Sequence, residues 1–191
     1  MNNDLTIRLE TSEDFLVVER LTRDAFWNKY RPGCLEPYVL HQFRKSENFI
    51  KELSLILELN GRIIGHIMFA KSKIICKDKV VPVLTFGPFS ILPQEQGKGY
   101  GKILLDYAMN KAKALGATIL AIEGDPDLYA HFGFVKGKTV GIIYADDPSA
   151  DYFLVKELCP NALSTSPGKY YDPKDYFVDE NDAVEYIKNM Q

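Results

Sequence analysis

The alternation of apolar and polar positions predicts a chain that mixes strands and helices. Residues 5–9 have the pattern of a short strand. Residues 15–25 carry apolar side chains at helical spacing, and Thr11 or Ser12 precedes them as the expected N-cap. A second helix is predicted near 38–44. The N-terminal part of the chain therefore reads as one strand followed by two helices.

Three strand patterns come next. "ELSLILELN" and "RIIGHIMFAKSKII" are joined at Asn60-Gly61, a dipeptide that favours a two-residue hairpin turn. "KVVPVLTFGPFSI" predicts a further strand, which Gly87-Pro88 interrupts. Proline removes one N–H from a strand ladder and glycine permits a bend, so we expect this strand to be distorted there.

A helix is predicted over roughly 97–115, and Gly116 is expected to end it. Its apolar positions predict one buried face: Ile103, Leu104, Tyr107, Ala108, Ala112 and Leu115. The continuous apolar run "ATILAIEG" then predicts a buried strand. In "DPDLYAHFGF", Asp125 is placed as the N-cap of a short helix whose first residue is Pro126.

The remaining patterns predict strands near 139–145 and 151–158. The stretch 171–191 is acidic, and a terminal helix is predicted there because four apolar residues share one helical face: Ala183, Tyr186, Ile187 and Met190. The element order β-α-α-β-β-β-α-β-α-β-β indicates an α/β chain (an α+β mixed sheet). We expect one domain over 1–158 and a C-terminal extension over 159–191, whose acidic helix packs on that domain.

Composition narrows the function classes. The net charge of −3 and the lack of a basic run argue against a nucleic-acid partner. The three cysteines, Cys34, Cys76 and Cys159, lie far apart, which disfavours a disulfide framework or a zinc site and favours a reducing cytoplasm. No stretch resembles a signal peptide or a membrane span, so we expect a soluble cytoplasmic protein that uses no metal and no membrane.

The stretch "EQGKGYGKILL" places Gly97, Gly99 and Gly101 where a strand leads into a helix. Unpaired N–H groups and the helix dipole make such a start an anion site, and glycines let a bulky anion approach. A P-loop does not fit because Gln96 stands where its first glycine is required. A dinucleotide fingerprint does not fit because Lys102 stands where its last glycine is required.

The segment from Gln96 to Gly101 resembles the Q/R-x-x-G-x-G/A signature of the GNAT superfamily of GCN5-related N-acetyltransferases. "DLYAHFGF" is similar to the second cofactor motif of that family, and the stretch from Thr6 to about Lys156 follows the family's element order. Within the family, "EGDPDLYAHFGF" followed by "YFLVKELCPNAL" is most similar to small bacterial acetyltransferases of the YhbS type.

The resemblance implies a mostly antiparallel twisted sheet, flanked by helices and splayed to hold CoA. It implies that acetyl-CoA is the cosubstrate and that its pantetheine arm bonds to one strand like an added neighbour. It assigns Tyr129 as the donor of a proton or hydrogen bond to the departing sulfur. The residues expected to bind the cosubstrate are Phe89, Ser90, Ile91, Gln96, Gly97, Lys98, Gly99, Tyr100, Gly101, Lys102 and Asp125.

Structural interpretations stand beside these roles. Tyr129 could pack the short helix onto the sheet, and Asp125 could serve as an N-cap alone. Glu123 ends a buried strand where a carboxylate could accept a proton through water, or it could be only a strand-end charge. His66 alternates with Ile64 and Met68, which favours a packed, hydrogen-bonded histidine over a base, although both roles stay open.

The sequence therefore predicts an N-acetyltransferase that moves the acetyl group of acetyl-CoA to a primary amine of a small molecule or peptide, by direct attack in a ternary complex. A non-catalytic acyl-CoA-binding regulatory module is the alternative. Acceptor specificity is expected from 27–43 and 141–171, where Glu36, Asp146 and Asp147 could meet a cationic amine. A homodimer is possible, and the identity of the acceptor is left open.

Overall fold

The computed structural model describes residues 4–190. The helices are α1 (Phe15–Phe26), α2 (Glu36–Phe43), α3 (Tyr100–Ala114), α4 (Pro126–Ala130) and α5 (Glu180–Lys188). The strands are β1 (Leu5–Leu9), β2 (Leu55–Leu59), β3 (Arg62–Ile75), β4 (Val80–Ile91), β5 (Ile119–Glu123), β6 (Val135–Lys136), β7 (Ile142–Tyr144), β8 (Phe153–Glu157) and β9 (Gly168–Tyr171).

Within the described residues the strands form a nine-stranded sheet in the order β1-β2-β3-β4-β5-β8-β6, and β9 pairs with β3 and β7. The pairs β1/β2, β2/β3, β3/β9, β5/β8 and β6/β8 are antiparallel. The pairs β4/β5 and β7/β9 are parallel. The predicted mixed sheet, mostly antiparallel and accompanied by helices, is confirmed.

The chain divides into two compact units. The first comprises residues 4–69, 87–108 and 174–190 of the described chain. Here Asn60 and Gly61 turn β2 into β3 with positive φ angles of 52° and 76°, as the hairpin signal predicts. Apolar side chains from α1, α2 and β2 are buried, among them Leu21, Phe43 and Leu57.

The second unit comprises residues 70–86 and 109–173. Its core joins side chains from several strands and the loops between them: Ile74, Val83, Ile119, Ala121, Ile142, Tyr144, Ala150, Phe153, Val155, Leu163 and Tyr170. The register Tyr144↔Tyr170 of the parallel pair β7/β9 sets these two rings side by side, 6.0 Å apart between centroids.

Several local predictions are wrong. The N-cap of α1 is Asp14, because the Asp14 carboxylate accepts hydrogen bonds from the Thr11 N–H and hydroxyl and tightens the preceding turn. α3 begins at Tyr100 rather than at Gly97. Its buried face is Leu104, Leu105, Ala108, Met109 and Ala112, whereas Ile103, Tyr107 and Leu115 are exposed. The prediction combined apolar residues from two adjacent arcs of the helix, and only one of these arcs is buried.

The C-terminal extension contributes one element to each unit. α5 follows the cap Asp179 and buries Ala183 and Ile187, as its periodicity predicts. Met190, just beyond the helix, is also buried, and Tyr186 is half-buried. β9, which the sequence patterns missed, pairs in the second unit. The proposed boundary at residue 158 stays a prediction. No helix in the described range, 4–190, is long and apolar enough to cross a membrane.

Candidate functional site

The start of α3 has the geometry of an anion cradle. The N–H of Ile103 donates to the Gly99 carbonyl at 3.2 Å, which makes Gly99 the N-cap residue. The N–H groups of Tyr100 and Gly101 lie before this bond and therefore have no acceptor inside the helix. The partial positive charge of the helix dipole is concentrated at the same end. This backbone arrangement fits a bound phosphate or diphosphate.

Different structural features explain why glycine stands at each of the three positions in this loop. Gly97 and Gly99 adopt φ angles of 75° and 86°, a region that side chains rarely tolerate. A Cβ on either residue would meet no protein atom within 4 Å, so the space in front of the loop is open. A Cβ on Gly101 would lie 3.5 Å from the Phe89 ring, an ordinary contact. Backbone conformation thus requires the first two glycines, whereas the described surroundings of Gly101 leave room for a Cβ.

The polar side chains of this loop already have partners. Lys98 pairs with Glu95 at 2.9 Å, and Lys102 pairs with Asp106. These are exposed ion pairs, which contribute about 0–1 kcal/mol and can exchange partners at little cost. The Gln96 side chain donates to the Ile91 carbonyl at 2.9 Å and ties the loop to the end of β4. This hydrogen bond was not predicted from the sequence.

β4 runs through Gly87-Pro88 to Ile91, so the predicted interruption is a distortion inside one strand. The peptide bond of this pair is cis, and Gly87 has a φ of 136°. Within the described residues, the parallel register with β5 covers Leu84↔Leu120 and Thr85↔Ala121, both before Gly87. The Ser90 hydroxyl is buried and donates to Thr22 at 3.2 Å, which leaves backbone groups as the means by which Ser90 could bind a ligand.

Asp125 and Tyr129 lie on the short helix α4 of the second unit. The Asp125 carboxylate accepts from the Asp127 N–H at 2.9 Å, which confirms the predicted cap. Tyr129 is 7% exposed and packs against Phe86 and Phe134, with ring centroids 5.9 and 5.6 Å away. The packing role of Tyr129 is therefore present. Its role toward a departing thiolate stays a prediction.

Glu123, at the end of β5, belongs to a cluster of carboxyl and phenol groups. More than a third of the residue is exposed, and Asp172 and Tyr144 are neighbours of its carboxyl. Desolvation, followed by the hydrogen bond and charge of Asp172, raises the pKa of Glu123 to about 7, although a bond from Tyr144 opposes the rise. A carboxylate with this proton affinity suits general-base chemistry near neutral pH.

Two tyrosines hold Asp172. The Tyr144 hydroxyl donates to Asp172 Oδ2 at 2.7 Å, and the Tyr170 hydroxyl donates to Oδ1 at 2.6 Å. Burial, followed by the neighbouring Asp172, raises the pKa of both phenols. They remain protonated and continue to donate at every pH where the protein would work. Sequence analysis missed Asp172 because β9 is only four residues long and too short to show a periodicity.

His66 lies in the first unit and is wholly buried, with 0% exposure. Its Nε2 is 3.1 Å from the Ser54 hydroxyl and 3.7 Å from Glu10 Oε1. Its Nδ1 is buried with no hydrogen-bond partner in the described part of the chain. A ring without solvent access cannot exchange protons with a substrate, so the geometry favours the packed histidine over the base.

Cys34 and Asp147 show no feature that would make them reactive. Burial raises the pKa of the Cys34 thiol to about 12, which makes it a poor nucleophile. Asp147, expected near the acceptor, accepts hydrogen bonds from Ser149 and Tyr152. Among residues 4–190 no group of three or more His, Cys, Asp or Glu side chains is placed to hold a metal ion.

Comparison with solved structures supports the fold. The N-acetyltransferase YhbS from Escherichia coli, solved in complex with CoA, superposes with a TM-score of 0.81 at 20% identity and covers 92% of this chain and 93% of its own. A GNAT family acetyltransferase from Brucella melitensis, solved in complex with acetyl-CoA, gives 0.73 at 23% identity, with 91% and 99% covered. The ribosomal-protein-S18-alanine N-acetyltransferase of Escherichia coli gives 0.56 at 15% identity, with 81% and 94% covered.

Comparison of the sequence with curated proteins and with models of protein families gave different results. A search of curated proteins gave no match. The family model described as "Acetyltransferase (GNAT) family" matches residues 20–134, a span that includes the glycine loop, β5 and the Tyr129 motif. Because this match covers more than half of the chain, the protein belongs to the GNAT acetyltransferase family.

Proposed function

We propose that this protein is an acetyl-CoA-dependent N-acetyltransferase that acts on a primary amine of a small molecule or peptide. The observation that carries the proposal is the start of α3, where Gly99 caps the helix and the N–H groups of Tyr100 and Gly101 are among those that precede the first intrahelical bond. Family membership supplies the ligand, since two similar structures were solved with CoA and acetyl-CoA.

Different segments of the chain bind different parts of acetyl-CoA. The loop from Gly97 to Lys102 binds the diphosphate through its backbone, and Lys98 and Lys102 can leave their surface partners to join it. The backbone of residues 89–91 forms hydrogen bonds with the amides of the pantetheine arm, which lies along β4 like an added strand. Acetyl-CoA supplies an acetyl thioester: the amine nitrogen forms the C–N bond, the C–S bond breaks, and the thiolate leaves with the bonding electrons.

Two protons must leave the amine nitrogen when an ammonium becomes an amide. An alkylammonium has a pKa of about 10.4 and cannot attack the thioester while it is protonated. Glu123 therefore accepts the first of these two protons. Tyr129 donates a hydrogen bond or proton to the thiolate. A thiol with a pKa of about 8.5 needs only modest help as a leaving group. The second proton passes to water after the C–N bond forms.

The cradle is tested by calorimetric titration of CoA into matched glycine variants. Gly99→Ala places a side chain at the N-cap, and we expect affinity to fall at least about tenfold. Gly116→Ala is the control, since Gly116 has a φ of 91° and equally open space but lies at the other end of α3. Gly101→Ala should bind CoA normally, because its Cβ fits against Phe89. Equal affinity in all three variants would contradict the cradle.

Catalysis is tested by following free thiol while acetyl-CoA is offered with a panel of primary amines. We expect release that depends on the amine, and Tyr129→Phe should be slower, since general acids typically contribute about 10²- to 10⁴-fold. A Tyr129→Phe variant as fast as the parent rejects the assigned acid role. CoA binding without turnover on any amine indicates the non-catalytic binding module instead.

A further inference from the structure

The C-terminal extension contacts the strand that is proposed to bind the pantetheine arm. The Tyr176 hydroxyl donates a hydrogen bond to the Gly87 carbonyl at 2.9 Å, and both residues belong to the first unit. Resting on the proposed function, we infer that Tyr176 is a positioning residue, which holds the β4 backbone at 89–91 in the conformation that binds the pantetheine amides. Tyr176 lies outside the matched family span of 20–134, whereas the backbone that it holds lies inside it.

The backbone of β4 has reason to need an anchor at Gly87. In the described part of the chain, the register with β5 extends along β4 no further than Thr85. Pro88 has no N–H to donate to a neighbouring strand. Gly87 has a φ of 136°, and glycine has no Cβ that would confine it to one conformation. A hydrogen bond from outside the sheet therefore helps to select the course of the backbone that follows.

Other side chains hold the far end of this segment. The Gln96 side chain donates to the Ile91 carbonyl at 2.9 Å, and the Ser90 hydroxyl donates to Thr22 at 3.2 Å. Thr22 and Gln96 lie within the matched family span, so Tyr176 is what the C-terminal extension adds at the near end. A backbone that is held at both ends is preorganised, and a ligand that pairs with it has less motion to remove.

The position of the Tyr176 ring does not depend on its hydroxyl. The ring packs edge-to-face on Phe43, which is fully buried, with 4.5 Å between the centroids. The preceding residue, Asp175, accepts a hydrogen bond from the Asn48 side chain at 2.8 Å. These contacts direct the hydroxyl toward Gly87, and neither of them involves the hydroxyl itself. Tyr176→Phe therefore removes the bond to the β4 carbonyl and keeps the packing.

Calorimetric titration with two ligands tests this role. CoA carries the pantetheine arm, whereas 3′-phosphoadenosine 5′-diphosphate is the part of CoA that lacks it. We expect Tyr176→Phe to bind CoA about three- to tenfold more weakly than the parent, as is typical for the loss of one hydrogen bond, and to bind the fragment normally. Tyr186→Phe is the matched control, because its hydroxyl also lies in the extension but contacts Glu19 and His41. It should bind both ligands as the parent does.

Amide hydrogen exchange, followed by NMR in the free protein, gives a second readout. The amides of residues 89–91 should exchange at least about threefold faster in Tyr176→Phe than in the parent, because local opening becomes easier, and Tyr186→Phe should leave them unchanged.

Three results would overturn the inference: equal CoA affinity in the two variants, an equal loss of affinity for the fragment, which indicates general loosening, or unchanged exchange at 89–91. If the parent binds no CoA while Tyr176→Phe alone speeds this exchange, the anchoring of β4 by Tyr176 is supported and only the proposed function is rejected. If the parent binds CoA and the exchange is unchanged, only the role of Tyr176 is rejected.

Discussion

Loss of hydration acts to raise the pKa of both Glu10 in the first unit and Glu123 in the second, yet the two pKa values move in opposite directions. Burial would raise the pKa of Glu10, but hydrogen bonds and charge from His66 and Arg44 outweigh it and hold the pKa at about 2. Burial raises the pKa of Glu123, and the neighbouring Asp172 raises it further, to about 7. The sign of the neighbours, and not burial alone, sets the outcome.

The two surroundings suit different tasks. Arg44 binds both Glu10 and Glu19 at 2.5 Å, and its side chain is only 4% exposed. This closed ion network joins Glu10, which follows β1, and Arg44, which follows α2, to Glu19 in α1. Glu123 is accessible and close to changing protonation state. The first arrangement stabilises the structure, and the second is the kind of environment in which a carboxyl changes its protonation state near neutral pH.

The largest effect that would test this contrast is expected for Arg44→Leu. The substitution leaves two buried carboxylates without their cation, and breaking a buried pair in this way typically costs about 3–5 kcal/mol. Urea denaturation at neutral pH measures the loss in the free energy of unfolding. Arg23→Leu is the control, because the Arg23–Asp24 pair is more exposed and should cost less than about 1 kcal/mol. Equal losses would show that the buried network is not special.

The second effect concerns Glu10 and acid. Its folded pKa of about 2 lies below the ordinary value of 4.5, so the stability it contributes is present above pH 4.5 and is lost as the pH falls toward 2. The contribution is on the order of 3 kcal/mol. Stability curves of the parent and Glu10→Gln, measured between those limits, should converge at the acid end. Parallel curves would contradict the assignment.

The smallest effect has the opposite sign. Because the folded pKa of Glu123 lies above the ordinary 4.5, the folded state retains a proton that the unfolded chain has lost, and stability falls as the pH rises from 4.5 to 7. Relative to Glu123→Gln, the parent should lose stability over this range. Solvent screening at the exposed side chain makes the change smaller than that of Glu10. A parent that gains stability there would reverse the comparison.

The contrast also clarifies the two catalytic residues suggested as bases from sequence. His66 and Glu123 each end or interrupt an apolar pattern, which is all that the sequence shows. In the structure His66 is enclosed beside Ser54 and Glu10, whereas Glu123 is accessible beside Asp172. The difference comes from residues that are distant in the chain, such as Glu10 and Asp172, and no local pattern contains them.

Other features were predictable because they depend on neighbouring residues. The Asn60-Gly61 turn, the Asp125 cap and the buried face of α5 follow from backbone preference and periodicity, and the structure confirms all three. The buried face of α3 was misjudged, because Ile103 and Tyr107 are apolar but exposed. Periodicity identifies the apolar arc of a helix, but only packing decides which part of a wide arc is buried.

The sequence by itself determined the element order from β1 to α4, the glycine loop and membership of an acetyltransferase family, because these depend on residues close together in the chain. Only the tertiary structure decided which glycines the backbone requires, that Gln96 binds the Ile91 carbonyl, and that Asp172 meets Glu123. Proton affinity depends on the charges that surround a group in space. For Glu123 those charges belong to Asp146 and Asp172, which follow β7 and β9, two strands that pair with each other.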